Sequence, residues 1–249
     1  RAKKKRMAAY GADMSKYLDS GNEARIKKAY ESRDPRLQMA VITPYAQYNG
    51  ASSGIAHTYT LRWPYRGSDS AEPFDIRTDT NDKFYYLWRK FVPEGLEQTE
   101  RDTYGLDIPL IRYAEVLLLK AEALNEWGST HESEAIRCVN EVRRRAGHVE
   151  LNNATYPATK VNGQSDLRER IRNEYYWEIG GEDSMYFHEL RWGTWKDKKF
   201  DNNRNGLMQM WGETTYTWYW LGDQCWSWPI PAKEMEMNSN LELNEGWIN

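Results

Sequence analysis

Asp107-Ile108-Pro109-Leu110-Ile111-Arg112-Tyr113-Ala114-Glu115-Val116-Leu117-Leu118-Leu119-Lys120-Ala121-Glu122-Ala123-Leu124-Asn125-Glu126-Trp127-Gly128 is the stretch that decides the fold. Asp107 suits an N-cap, and Pro109 falls in the first turn, where a missing N–H costs nothing. Leu110, Ala114, Leu117, Ala121 and Leu124 then recur on one helical face, and Gly128 supplies the stop. A second helix follows at once. Ser129 and Glu132 have capping-box spacing, Ala135, Val139, Val142 and Ala146 repeat the apolar stripe, and Gly147 ends it. A short link between helices with Ala-lined stripes predicts an antiparallel hairpin over 107–147, close in size to one unit of a helical repeat protein. The chain carries no second copy, so its stacking neighbours are expected elsewhere.

Working outward, a third helix is predicted from Asp166 and Glu169 through Leu167, Ile171, Tyr175 and Glu178 to Gly180-Gly181. Another runs over 183–195 with Met185, Leu190 and Trp192 as apolar anchors, and one more over 10–30 before Asp34-Pro35. Residues 40–106 and 196–249 are rich in Gly, Pro, Asn, Asp and aromatics, with short strand-like pieces such as residues 83–88. They read as long ordered loops. The expected fold is mainly α: a tetratricopeptide-like hairpin and further helices, carrying aromatic-rich loops and a few short β-strands. It is read as one domain, 1–249, with a helix and aromatic region over 1–106, the hairpin over 107–147, helices over 165–195 and Trp-rich loops over 196–249.

Composition narrows the function. Net charge is −3 over 249 residues, which offers no field for gripping a polyanion and disfavours nucleic acid as partner. No apolar run reaches the ~18–20 residues that span a bilayer. Leu, Ile, Val and Phe make up only 41 residues, about 16%, below the ~20% expected of a globular chain, while 12 Trp and 17 Tyr supply the missing apolar area. Indole and phenol have polar tips and suit ligand clefts as well as cores. The opening RAKKKR lacks both an initiator Met and the apolar stretch of a signal peptide, so the chain is expected to be a mature, nicked or truncated piece.

Enzyme signatures are sparse. His57, His131, His148 and His188 show no ligand spacing, and there is no nucleophile elbow, P-loop or dinucleotide fingerprint, so no metal or cofactor is expected. Cys138 and Cys225 read as structural. Residues 201–206 open like a calcium loop, but Gly212 stands where the closing Glu belongs. Glu174 and Glu178, one turn apart, are spaced for a retaining glycosidase pair, yet one helix face presents such a pair poorly, and Arg168, Arg170, Arg172 and Arg191 are near enough in sequence to neutralise them.

Two aromatic clusters remain. Tyr45, Tyr48, Tyr59, Trp63 and Tyr65 are interleaved with Gln47, Asn49, Arg62 and Arg66. A flat ring covers the C–H face of a pyranose while Arg, Asn and Gln bond its hydroxyls, so this cluster suits a neutral polysaccharide, or else fills a core. The second cluster, which includes Trp211, Trp218, Trp220, Trp226 and Trp228, is expected to pack largely on itself. Tyr45, Tyr48, Arg62, Trp63, Tyr65 and Arg66 are the candidate glycan contacts.

These residues also resemble a family. Residues 108–118 with Ala121-Glu122-Ala123 look like the signature helix of SusD/RagB-type outer-membrane proteins, and Arg143 with Arg145-Ala146-Gly147 is similar to the family's "RxRAG" ending. Asp34-Pro35-Arg36-Leu37, Arg89-Lys90-Phe91, Leu190-Arg191-Trp192-Gly193 and Pro229-Ile230-Pro231 through Trp247 follow in the family's order. Departures occur at residues 173–178 and at Gly181-Glu182-Asp183. Similar members are about twice as long, with a lipidated N-terminal Cys and several tetratricopeptide-like helix pairs in the N-terminal half. The resemblance implies a non-catalytic lipoprotein on the outer face of a Bacteroidota-type outer membrane. It would cap a SusC-like TonB-dependent transporter and present glycan, or in some members peptide, for import. This chain would then be the C-terminal half, working with the missing N-terminal half.

Overall fold

The computed structural model describes residues 28, 30–31, 33–43, 45–52, 55–65, 75–79, 87–95, 107, 109–182, 184–199, 220 and 222–247. At 51–52, 62–65, 75–79 and 198–199 it describes the backbone alone. The chain divides into two compact units, Met14–Met185 and a second that contains Tyr186–Asn249.

The larger unit holds a helical layer and two small sheets. Helix α1 (Pro35–Ala40) starts where Asp34 accepts the Arg36 backbone N–H and Pro35 presets the first turn. It leads into β1 (Val41–Ile42), which pairs antiparallel with β5 (Leu87–Trp88). β2 (Gln47–Ser52) and β3 (Ile55–Tyr65) form an antiparallel hairpin, and β4 (Asp75–Asp79) adds to β3 in parallel. Residues read as loop over 47–52 and 55–65 are therefore strand. Gly50 marks the reason its neighbours read weakly as sheet: a Cβ there would stand 2.7 Å from the Tyr59 ring, so only glycine leaves room for it. Ile42, Tyr48 and Leu61 form the small core beneath this hairpin. The expected strand over 83–88 is present at Leu87 and Trp88, and its earlier residues lie outside the described ones.

The helical layer is α2 (Tyr113–Trp127), α3 (Glu132–Arg145) and α4 (Gln164–Glu178), with α2 packed on both others. Leu117, Leu118, Ala121 and Leu124 meet Ala135, Cys138, Val139 and Val142 in a core that also takes Leu167, Ile171 and Tyr175. Each fully buried Leu, Ile or Val side chain contributes roughly 1.5–3 kcal/mol. The hairpin and the third helix are thus present as predicted, but their starts differ. α2 begins at Tyr113 rather than near Asp107, because Arg112 is extended (φ −108°, ψ 149°). Leu110 is consequently exposed, not on the core face. A 3-10 turn at Ser129–His131 precedes α3 in place of a Ser129 capping box. Asp166 bonds the Asn162 N–H and Arg170 within a helix that opens at Gln164. Asn140 accepts the Leu151 N–H at 2.7 Å and donates to the Leu151 carbonyl, fastening the following loop to α3.

The second unit starts within α5 (Ser184–Arg191) and continues through α6 (Trp195–Lys199), a 3-10 turn (Asp223–Trp226) and α7 (Ala232–Met237). The helix expected over 183–195 is thus broken, with a turn at Gly193, φ +65°. Met185 is buried, whereas Leu190 and Trp192 are half-buried. Of the helix expected over 10–30, Lys28 and Tyr30 are described and helical. The calcium-like stretch lies outside the described residues. Among those described, no helix is long and apolar enough to cross a membrane.

Candidate functional site

Two places in the larger unit present chemistry. The first is the sheet that bears the predicted aromatics. Tyr45 sits before β2 in a left-handed conformation, φ +62°, half-buried, its N–H bonded to the Leu61 carbonyl at 2.7 Å. That positive φ is strained for a ring-bearing residue and is held by the Leu61 bond. Tyr48 differs from expectation. It is only 6% exposed, and its hydroxyl donates to the Pro93 carbonyl at 2.9 Å. Its ring packs with Ile42 and Leu61, so it is a core residue rather than a platform. Arg62, Trp63 and Tyr65 lie on β3, with a register shift between Arg62 and Tyr65. Arg66 lies outside the described residues. The strand therefore brings Arg62, Trp63 and Tyr65 together along one backbone, near Tyr45.

The second place was not anticipated. A cleft of about 310 Å³ is lined by Arg36, Lys90, Arg112, Arg145, Trp177 and Glu178, with small apolar residues of α1 and the end of α3. Its floor is an ion network. Glu174, Glu178 and Glu182 are spaced four apart along α4 and the turn after it. Arg36 reaches Glu174 at 2.7 Å, Glu178 at 3.1 Å and Asp34 at 2.7 Å. Arg112 bonds Glu178 at 2.9 Å and Glu182 at 2.7 Å, Arg143 bonds Glu174 at 2.9 Å, Arg145 bonds Glu178, and Lys90 bonds Glu182. The sequence signal was there in the charged pairs of each motif, but their convergence is tertiary.

The network engages both Glu174 and Glu178 in ion pairs. Burial pushes the Glu178 carboxyl up, but the Arg112 hydrogen bond, the Arg145 charge and the Arg36 bond outweigh it and hold it below its ordinary value. A glycosidase acid needs the opposite shift. Their neutralising partners are not the neighbours in sequence. Arg168 pairs with Glu126, Arg170 with Asp166 and Arg172 with Glu169. Asp34 is likewise pushed up by burial and pulled below its usual range by Arg36. On the Trp177 indole, Arg143 lies at 5.9 Å over the ring and His148 stands edge-on at 5.7 Å, fixing its plane.

In the second unit, Trp220 and Trp226 lie 5.0 Å apart, so part of the Trp-rich cluster packs on itself. Trp228 is exposed instead, with its indole N–H donated to the Tyr186 hydroxyl at 2.9 Å. Trp211 and Trp218 lie outside the described residues. Cys138 is buried within α3, which pushes its thiol up, away from nucleophile behaviour. Among the described residues no group of three His, Cys, Asp or Glu is placed to hold a metal ion.

Comparison with known proteins agrees with this architecture. The chain is 36% identical over 104 residues to the SusD-like protein P38 of Formosa agariphila, a match covering 41% of this chain and 20% of that protein. It is 28% identical over 161 residues to the starch-binding protein SusD of Bacteroides thetaiotaomicron, covering 64% of this chain and 25% of the relative. Among solved structures, a SusD-like protein of Bacteroides fragilis NCTC 9343 superposes with a TM-score of 0.61 at 21% identity, over 93% of this chain and 43% of the other. The chain therefore spans less than half the length of these relatives, and the structural likeness shows the fold. The SusD family model matches residues 8–247. With the helical hairpin, the signature motifs and that match in agreement, the chain belongs to the SusD family.

Proposed function

We propose that this chain is the C-terminal part of a cell-surface glycan-binding lipoprotein that passes ligand, without cleaving it, to a SusC-like TonB-dependent transporter. The observation that carries the reading is the SusD-family match over 8–247. The engagement of Glu174 and Glu178 by four arginines supports binding rather than hydrolysis. Tyr45, Arg62, Trp63, Tyr65 and Arg66 are the contacts we assign to the glycan, and Tyr48 supports them from the core. The outward face of α2 supports a stacking neighbour from the rest of the protein. Tyr113, Val116 and Trp127 are exposed there, beside exposed Leu110 and Ile111, on a helix whose opposite face is already buried.

Native affinity gels of the full-length protein with plant, host and microbial polysaccharides test this. Retardation by a polymer, lost in Trp63→Ala, is expected, since alanine lacks the flat apolar face on which a pyranose would stack. Retardation by no polymer would move the reading to peptide import. Release of reducing ends that stops in Glu174→Gln would overturn the non-catalytic part.

A further inference from the structure

The cleft over α4 carries more positive charge than its ion pairs use. Among the described residues the network joins five cations, Arg36, Lys90, Arg112, Arg143 and Arg145, to four carboxylates, Asp34, Glu174, Glu178 and Glu182. The hydrogen bonds locate the surplus. Arg36 commits Nε, Nη1 and Nη2 to carboxylates. Arg112 does the same and also bonds the Glu178 carbonyl. Lys90 has three acceptors, the carbonyls of Glu178 and Gly180 and the Glu182 carboxylate. Arg143 gives one N–H to Glu174 and one to the Val149 carbonyl and is buried, whereas Arg145 gives one N–H to Glu178, has no second partner among the described residues, and keeps a side chain 56% exposed. Trp177 lines the same cleft and is 45% exposed.

An unspent guanidinium beside a fixed, accessible indole recognises a ring that bears an anion. The planar fork of Arg matches a carboxylate, and the indole covers an apolar sugar face. The cleft's volume of about 310 Å³ is at the small end of the ~300–1,000 Å³ of ligand pockets, which fits one sugar unit rather than a chain. A neutral sugar would offer the remaining Arg145 donors no anion. We propose that this cleft binds a uronate unit of an acidic glycan, its carboxylate on Arg145 and its C–H face on Trp177. This rests on the glycan-binding reading and adds a ligand class and a second site to it.

The test is titration calorimetry of the full-length protein with oligogalacturonate and oligoalginate, and with the methyl ester of the former. Wild type is expected to bind an acid oligomer about tenfold more tightly than its ester, the scale of one charge-assisted hydrogen bond. Arg145→Gln should remove that preference, and Trp177→Ala should weaken acid and ester alike. The ester and Trp177→Ala probe the cleft without removing a charge from the network, so a less stable Arg145→Gln does not blunt the result. Equal binding of acid and ester, no change in Trp177→Ala, or no binding of either acid oligomer overturns the proposal. If it fails while a neutral polysaccharide still retards the protein through Trp63, the cleft alone is withdrawn. If no polymer is bound at all, both readings fall.

Discussion

The helical layer and the sheet of the larger unit solve the same shortage of aliphatic residues in different ways. Between α1, α3 and α4 the chain buries charge: Glu174 is fully buried between the guanidinium groups of Arg36 and Arg143. Beneath the hairpin it buries a phenol, Tyr48, whose hydroxyl finds a backbone carbonyl. Ion pairs are directional, so they fix which helix faces which, whereas the tyrosine only has to fill space and satisfy one polar atom. The scattered family-like motifs Asp34-Pro35-Arg36, Arg89-Lys90, Arg112 and Arg143 with Arg145 meet the glutamates of α4 largely in one network. Those motifs therefore report architecture.

Removing one side of the buried network should have the largest effect. Glu174→Ala takes from Arg143 the carboxylate it pairs with and leaves Arg36 to Glu178 and Asp34, and a loss of about 3–5 kcal/mol is expected in chemical denaturation. Arg143→Ala combined with it should cost less than the sum of the two, because both remove the same pair. An additive result would show that the pair is not coupled. In the apolar part of the helical core, Ile171→Ala should cost about 2–5 kcal/mol through the cavity it leaves. If it costs more than Glu174→Ala, apolar packing rather than buried charge dominates the helical layer.

Acid should weaken the network. Glu178 and Asp34 have carboxyls held below their ordinary values in the fold, so their stabilisation is complete above the usual carboxyl range. It is lost as pH falls below about 4.5 and through the folded-state values. His148 acts in the same direction from about pH 6.5 downward, since burial and the Arg143 charge disfavour its protonated form. A melting temperature that falls from about pH 5 to about pH 2, less steeply in Glu178→Gln, is the expected record. A flat profile would remove the network as the source of stability. Smallest should be Tyr48→Phe, which loses the bond to Pro93 and is expected to cost about 1 kcal/mol with glycan binding unchanged. Lost binding at unchanged stability would return Tyr48 to the ligand site.

The periodic stripes of α2, α3 and α4 were legible from spacing alone, because 3.6 residues per turn puts Leu117, Ala121 and Leu124 on one face whatever surrounds them. The family resemblance was legible for a similar reason, as its motifs keep their order along the chain. The start of α2 was not, since Arg112 stays extended to reach Glu178 and Glu182 from another helix. The hairpin was hidden by Gly50, Ala51 and Ser52, which have little strand preference, and it forms because Tyr48 and Leu61 share a core with Ile42. Arg168, Arg170 and Arg172 stood nearest Glu174 and Glu178 in sequence, yet the bonds come from residues as far as 142 positions away. The chain by itself determined where helices run and which family it resembles, because both are written in local order. Which tyrosine is buried, which carboxylates are neutralised and which arginine is left unspent were decided only by tertiary structure. Burial and charge pairing depend on distance in space, and local spacing does not encode it.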